Sequence, residues 1–301
     1  MRTVAEAGRK VQAGKPAAVL AQIREVVAYR ELLISLIRRE LKVRYKNSAL
    51  GFVWSMLNPL LYLAIFSIVL GVFLRAGLPW FPFYLLSGLL AWNLLAASLT
   101  ASAGSIVGNA SLVTKVYFPR EILPLSAIGA AFYNFLLQLV VLVSAMALLG
   151  YQRFWDAGIL ILPLALLVQI LFIIGLAFLV ASLNVYFRDV QYLLELVLLA
   201  WFWMTPIVYA SAWVADRLQR FDLLYSAYFA NPMNIIVIGY QRALYSQVSP
   251  PTREGAVSVL IDQPLSWYVT RLGLAGLASI VLITFGWRVF RRLHSRFAEE
   301  L

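Results

Sequence analysis

The sequence predicts an all-α polytopic membrane protein: six transmembrane helices, an N-terminal amphipathic interface helix, and a re-entrant outer helical hairpin between spans five and six. Three observations carry that expectation. The 301 residues are 62% hydrophobic and only 13% charged, the apolar residues gather in uncharged runs long enough to cross a bilayer, and lysine and arginine collect at particular ends of those runs. A soluble domain needs far more charged surface, so most apolar side chains must face lipid or the inside of a bundle. A net charge of +11 would raise nucleic-acid binding in a soluble protein; its placement beside spanning runs argues against that here.

The first 50 residues are charged and lack the short apolar core of a cleavable leader, so the first span is expected to direct insertion as well. From Ala28 to Tyr45, the residues Leu32, Leu33, Leu36, Ile37, Leu41 and Tyr45 recur at three- and four-residue spacing, while Arg38, Arg39, Lys42 and Lys46 mostly take the other side. Such a helix lies flat at the cytoplasmic interface, with arginines toward phosphates and leucines beneath them. It is either a plain surface anchor or a collar that touches a cytoplasmic subunit and passes movement to the first span; periodicity does not separate the two.

Phe52 to Leu74 is uncharged and as a helix would measure about 34 Å, enough to cross the hydrocarbon layer. The second run, Phe83 to Ala103, lies between the Pro79/Pro82 turn and the small-residue segment Gly104 to Ser111. The third, Ile122 to Leu149, ends at Gly150, and the fourth, Ile159 to Leu183, is closed by Asn184 and the pair Arg188/Asp189. The fifth, Tyr192 to Tyr209, holds Glu195 and the kink-capable Pro206, and the sixth, Val269 to Phe290, ends among Arg288, Arg291, Arg292 and Arg296. Six spans place both termini on one side. The cluster Arg24 to Lys46, with Lys115, Arg120, Arg188 and the C-terminal arginines, makes that side the cytoplasm. The expected plan is a cytoplasmic N-terminal segment over residues 1–50, a six-span domain over 51–292 and a cytoplasmic tail over 293–301.

Between spans two and three, the loop Gly104 to Pro124 predicts a short helix ended by Pro119, with Val116, Tyr117 and Phe118 displayed toward a groove on a partner. A tight turn whose aromatics rest on the membrane surface is the alternative. Ser211 to Tyr268 is too long for a turn and contains the apolar piece Leu223 to Tyr245, broken at Asn231-Pro232. Two half-length helices meeting there bury their apolar faces as a re-entrant hairpin, or else lie on the outer leaflet as an amphipathic lid. Glu195 is expected to face the bundle, a cavity or the headgroups near an end of its span. Trp201, Trp203 and Tyr209, with Phe132, Tyr133 and Tyr62, either line a passage suited to the faces of sugar rings or belong to an interfacial belt.

There is no cysteine, which excludes disulfides and thiolate chemistry. The scattered Asp156, Asp216, Asp222 and Asp262 show neither paired-carboxylate nor metal-ligand spacing, so no catalytic and no metal-binding residue is assigned. The lone His294, in an arginine-rich tail, reads as a solvated headgroup-level residue. No Gly-rich loop ends in Lys-Ser or Lys-Thr, so the chain has no visible phosphate cradle.

Taken in order and spacing, several motifs resemble the ABC-type export permeases of the polysaccharide branch, the transmembrane subunits of O-antigen and teichoic acid exporters. They are Arg39-Glu40-Leu41-Lys42-Val43-Arg44-Tyr45-Lys46 with Gly51-Phe52-Val53-Trp54, Asn58-Pro59, Lys115-Val116-Tyr117-Phe118-Pro119-Arg120-Glu121, Asn184-Val185-Tyr186-Phe187-Arg188-Asp189, Thr205-Pro206-Ile207-Val208-Tyr209 and Asn231-Pro232. The resemblance runs from about Glu31 to Arg292. It implies a bacterial inner-membrane protein that pairs with a second copy of itself and with two cytoplasmic ATP-binding subunits, and that moves a lipid-linked glycan among membrane lipids, with no nucleic acid. It further implies that ATP and Mg2+ sit in the partner ATPase, with no cofactor on this chain. Arg39, Lys42, Arg44, Lys115, Tyr117, Phe118, Arg120 and Glu121 then couple to the ATPase, and Tyr62, Phe132, Tyr133, Trp201, Trp203 and Tyr209 line the substrate passage. An exporter of a drug or small lipid shares this architecture, and a membrane-embedded glycan- or lipid-transferring enzyme is the reading from another class.

Overall fold

The computed structural model describes residues 24–45, 80–151, 156–246 and 258–301, with positions 57, 61, 64, 65 and 68 and the pairs 251–252 and 255–256. The expected first span, Phe52 to Leu74, falls mostly outside these residues; its five described positions are helical, with Leu61, Ile65 and Ile68 exposed.

Helix α1 (Arg30–Tyr45) precedes α2 (Phe81–Ser105). The short α3 (Ala110–Lys115) leads to the long helices α4 (Ile122–Leu148) and α5 (Ile161–Tyr186). Then come α6 (Val190–Met204), α7 (Ser211–Leu218), α8 (Asp222–Ala230) and α9 (Pro232–Leu244). The chain closes with α10 (Leu265–Leu293) and α11 (Phe297–Glu300). A two-residue antiparallel pairing joins Pro251–Thr252 to Gly255–Ala256.

Among the described residues four helices are long and apolar enough to cross a membrane: Phe81–Ser105, Ile122–Leu148, Ala157–Tyr186 and Leu265–Arg296. They are the expected spans two, three, four and six. The expected fifth span, Tyr192 to Tyr209, is shorter than its hydropathy suggests. Its helix α6 has 15 residues, about 22 Å, because Thr205 turns to an extended backbone (φ −101°, ψ 136°), the conformation that the following Pro206 favours.

Local chemistry sets several other ends. Trp80 adopts left-handed φ at 58° and Pro82 sits in the first turn of α2, where its missing N–H costs nothing. Asn231 caps α9 by accepting from the Met233 amide at 3.1 Å, with Pro232 at the first helical position. The two half-length helices read from the sequence therefore meet where expected.

The most extensive packing joins α5 to α10, α2 to α4 and α2 to α5. Small residues let α5 and α10 approach closely: a Cβ on Gly286 would lie 2.4 Å from the Gly175 carbonyl oxygen. Buried amides fasten helices through backbone carbonyls. Gln169 Nε2 donates to the Ala91 carbonyl at 2.6 Å, and Asn184 Nδ2 to that of Ala103 at 2.9 Å. Gln241 Nε2 donates at 2.7 Å to the Pro206 carbonyl, which the break after α6 leaves without a helical partner.

Two apolar clusters result. The larger surrounds α9, whose Ile236, Val237, Ile238 and Tyr240 are fully buried against α2, α5 and α10. The smaller lies at the other end of the bundle, around Leu36, Ile106, Phe118, Phe178, Phe290 and Phe297. Ring contacts fix the ends: Trp80 and Tyr151 are 5.5 Å apart, and so are Tyr84 and Tyr245, at the far end. The Tyr186 hydroxyl donates to the Leu293 carbonyl at 2.8 Å at the basic end.

Candidate functional site

The basic end is built by α1, the segment from Ser105 to Glu121, and the C-terminal residues. Helix α1 packs along α4 with Leu36 buried and with Arg38, Arg39 and Lys42 exposed. Ile37 sits over Gly129, where a Cβ would come within 2.5 Å of its Cδ1. Arg39 does not simply face solvent: its guanidinium donates to Asn109 Oδ1, and Asn109 Nδ2 donates to the Ser105 carbonyl at 2.8 Å. One side chain thereby ties α1 to the turn that leads into α3. The side chain of Arg44 lies outside the described residues.

Helix α3 ends at Lys115, and Val116 is extended at φ −126°, ψ 136°. The expected helix end at Pro119 is thus reached four residues early. Past the helix end Tyr117 is 88% exposed and Val116 faces outward with it, whereas Phe118 is 7% exposed. That corrects the expected display of Val116, Tyr117 and Phe118 together. Phe118 is an anchor in the smaller apolar cluster, and the outward face consists of Lys115, Val116 and Tyr117. Glu121 is half-buried at the head of α4.

Arg120 turns inward to the C-terminal residues. Its Nη1 donates to the His294 backbone carbonyl, and its guanidinium lies 5.9 Å from the centre of the Phe297 ring. Partial burial pulls its pKa below the ordinary arginine value, with the charge of Glu121 opposing that shift. Phe297 is fully buried, its ring 5.5 Å from that of Phe290 and 6.3 Å from that of Tyr186. Helix α11 packs against α3. The C-terminal residues are therefore a folded hook over the loop, which sequence reasoning missed; His294 is half-buried in it, not solvated. A signal was present: Phe290, Leu293 and Phe297 recur at helical spacing among the arginines.

The expected passage residues divide. Trp201 lies 6.4 Å from Trp92 and 5.9 Å from Phe172 between ring centres, and its Nε1 donates to Asn231 Oδ1 at 3.3 Å. Trp203 is 61% exposed, and its carbonyl accepts from the Tyr209 hydroxyl at 3.1 Å. These three form one group beside the tip of α8 and α9. Phe132 instead stacks on Phe135 at 5.8 Å, and Tyr133 is exposed on α4; Tyr62 lies outside the described residues. Helix α6 docks through the buried Leu194 and Leu198 and the partly buried Trp201 and Phe202, and its outward face carries Tyr192, Leu196, Trp203 and the acidic Glu195.

Several membrane-length helices, a short loop helix pinned between an amphipathic helix and a C-terminal hook, and a half-length helix pair at the far end define a multi-pass membrane protein. Comparison with known proteins makes this specific: the family model described as ABC-2 type transporter matches residues 31–245, and the chain belongs to that family. It is 34% identical over 280 residues to a protein named O-antigen export system permease protein RfbA from Myxococcus xanthus, covering 93% of this chain and 98% of that one. Two proteins of the same name from Klebsiella pneumoniae are 30% and 28% identical over 274 residues, each match covering 90% of this chain and 95% of the relative. The resemblance to export permeases of the polysaccharide branch is thereby borne out.

Proposed function

We propose that this transmembrane subunit of an ABC exporter moves a lipid-linked polysaccharide, of the O-antigen or teichoic acid type, across the bacterial inner membrane. The observation that carries the reading is the near full-length similarity to proteins named O-antigen export permeases. In this reading the termini are cytoplasmic, Phe52 to Leu74 is span one, α6 is span five, and α8 with α9 is a re-entrant hairpin. Two copies form the passage. The exposed Glu195 on the apolar face of α6 supports that pairing, because a carboxylate facing hydrocarbon is costly whereas one facing a partner or water is not.

ATP and Mg2+ belong to a pair of separate ATP-binding subunits. Their closure presses on Lys115 to Tyr117; Arg39 passes the push to α1 through Asn109, and Arg120 passes it to α10 through the hook. The rigid α5–α10 contact then carries it toward the passage between the copies. Lys42, Arg44 and Glu121 complete the docking surface, and Trp201, Trp203 and Tyr209 offer aromatic faces to the moving glycan.

Two measurements test this. The purified chain alone is expected to hydrolyse no ATP and to gain hydrolysis when co-purified with its ATP-binding partner. Deleting its gene is expected to remove surface polymer and to leave lipid-linked glycan inside the cell. Surface polymer at the parental level in the deletion strain would sink the proposal.

A further inference from the structure

The far end of the bundle carries a concavity that lies apart from the coupling surface and borders the passage residues only at Tyr209. It is a cleft of about 940 Å³ between α7 with its leading turn and the extended segment ahead of α10, near the upper end of the ~300–1,000 Å³ typical of ligand clefts.

Its walls are fixed to the bundle. The Ser211 amide donates to the Tyr84 hydroxyl at 3.2 Å, and that hydroxyl donates to the Tyr209 carbonyl at 2.8 Å. The Ala212 amide donates to the Val259 carbonyl at 3.3 Å, joining the two walls, and the Tyr268 hydroxyl donates to the Ile261 carbonyl at 2.7 Å. A cleft held by α2 and α10 keeps its shape without a ligand, which lowers the cost of binding one.

The lining is chemically mixed. On α7, Trp213, Asp216 and Arg217 stand at the three- and four-residue spacing that shares a helix face, and Asp262 and Gln263 come from the opposite wall. Trp213 is 49% exposed. Among the described residues, the side chains of Asp216, Arg217, Asp262 and Gln263 form no ion pair or hydrogen bond with another residue, so their donors and acceptors remain available. A pyranose matches this set: its C–H face rests on an indole, its hydroxyl pairs donate to carboxylates, and amide and guanidinium groups donate to its ring and hydroxyl oxygens. Two carboxylates against one arginine leave the cleft net negative, which disfavours a phosphate-bearing polymer.

We propose that this cleft is a saccharide-binding site at the exit end of the exporter, selective for uncharged sugar units over polyol-phosphate chains. The proposal rests on the export reading above and narrows its substrate class.

The test uses the full chain in lipid nanodiscs and saturation-transfer difference NMR, with mannotetraose and chitotetraose as neutral probes and a glycerol-phosphate oligomer as the anionic one. Support would be transfer to at least one neutral probe, reduced at least tenfold both in Trp213→Ala and in the double variant Asp216→Asn/Asp262→Asn, with thermal midpoints unchanged. No transfer to either neutral probe, transfer unaffected by both variants, or transfer to the glycerol-phosphate oligomer alone would overturn it. Surface polymer is measured in parallel in cells that carry the wild-type gene. Restored polymer without binding rejects the cleft alone, whereas failure to restore polymer rejects the export reading whatever the NMR shows.

Discussion

Replacing Gly286 with alanine tests how tightly the α5–α10 pair holds the coupling end in place. The new Cβ would lie 2.4 Å from the Gly175 carbonyl oxygen and 3.3 Å from its carbon. An ordinary carbon–oxygen contact starts near 3.3 Å, so the helices must part by about 0.9 Å. The obstructing atom is backbone, and no side-chain rotation relieves it. The facing glycine makes the same demand, since a Cβ on Gly175 would lie 2.8 Å from Leu282 Cγ and 2.9 Å from the Ile283 amide nitrogen. Overpacking of this kind costs about 1–3 kcal/mol, and SDS-induced unfolding in mixed micelles, followed by circular dichroism, reads that loss directly. Gly104→Ala is the control: it is helical with nothing within 4 Å of its added Cβ, and it should gain up to about 1 kcal/mol from helix propensity. Gly286→Ala as stable as the parent would refute the close-approach argument.

Arg120→Ala and Phe297→Ala should each release the C-terminal hook. Loss of a hydrogen bond from a charged group costs about 1.5–3 kcal/mol, so limited proteolysis should cut the tail of Arg120→Ala faster, and glycan-stimulated ATP hydrolysis by the complex should fall while its assembly persists. An uncut tail with unchanged stimulation would remove Arg120 from the coupling path. At the far end, Asp156 accepts from Arg242 at 3.0 Å and from the Ser246 hydroxyl at 2.9 Å, and these contacts hold its carboxyl below the usual range. A depressed folded-state pKa gives stability that is present above the unfolded value, near ~3.9, and is lost as pH falls through the lower folded value. Asp156→Asn should abolish that acid-side slope in unfolding midpoints while costing under about 1 kcal/mol at neutral pH, because the pair is exposed on the aspartate side. An identical acid-side slope in the variant would count against the pair.

The long apolar runs made spans two, three, four and six legible, with boundaries that moved by only a few residues: Phe83 to Ala103 became Phe81–Ser105. Asn231-Pro232 was legible because the pair is at once a cap and a helix start. Span five was overread, since hydropathy counts Ile207 to Tyr209 as spanning residues while Pro206 forces the residue before it out of the helix. Phe118 reads as outward beside Val116 and Tyr117 because its burial comes from a cluster with Leu36, Ile106 and Phe297, residues far away in the chain that no local pattern names. The hook went unseen because the end of the chain, with Arg291, Arg292 and Arg296 around His294, reads first as a charged tail. Fasteners such as Gln169 to Ala91 and Asn184 to Ala103 join residues 78 and 81 positions apart, and nothing local in the sequence names the partner when the acceptor is a main-chain oxygen.

A main-chain oxygen is likewise the acceptor at the lone histidine. What Arg120 grips at position 294 is the peptide oxygen, which every amino acid supplies, whereas the imidazole makes its own contact, with the Arg291 carbonyl at 2.7 Å. The clasp reads the path of the chain and not the identity of a residue. Inserting or deleting one residue between Phe290 and His294 should therefore do more damage than His294→Ala, because only the former moves the oxygen away from the guanidinium.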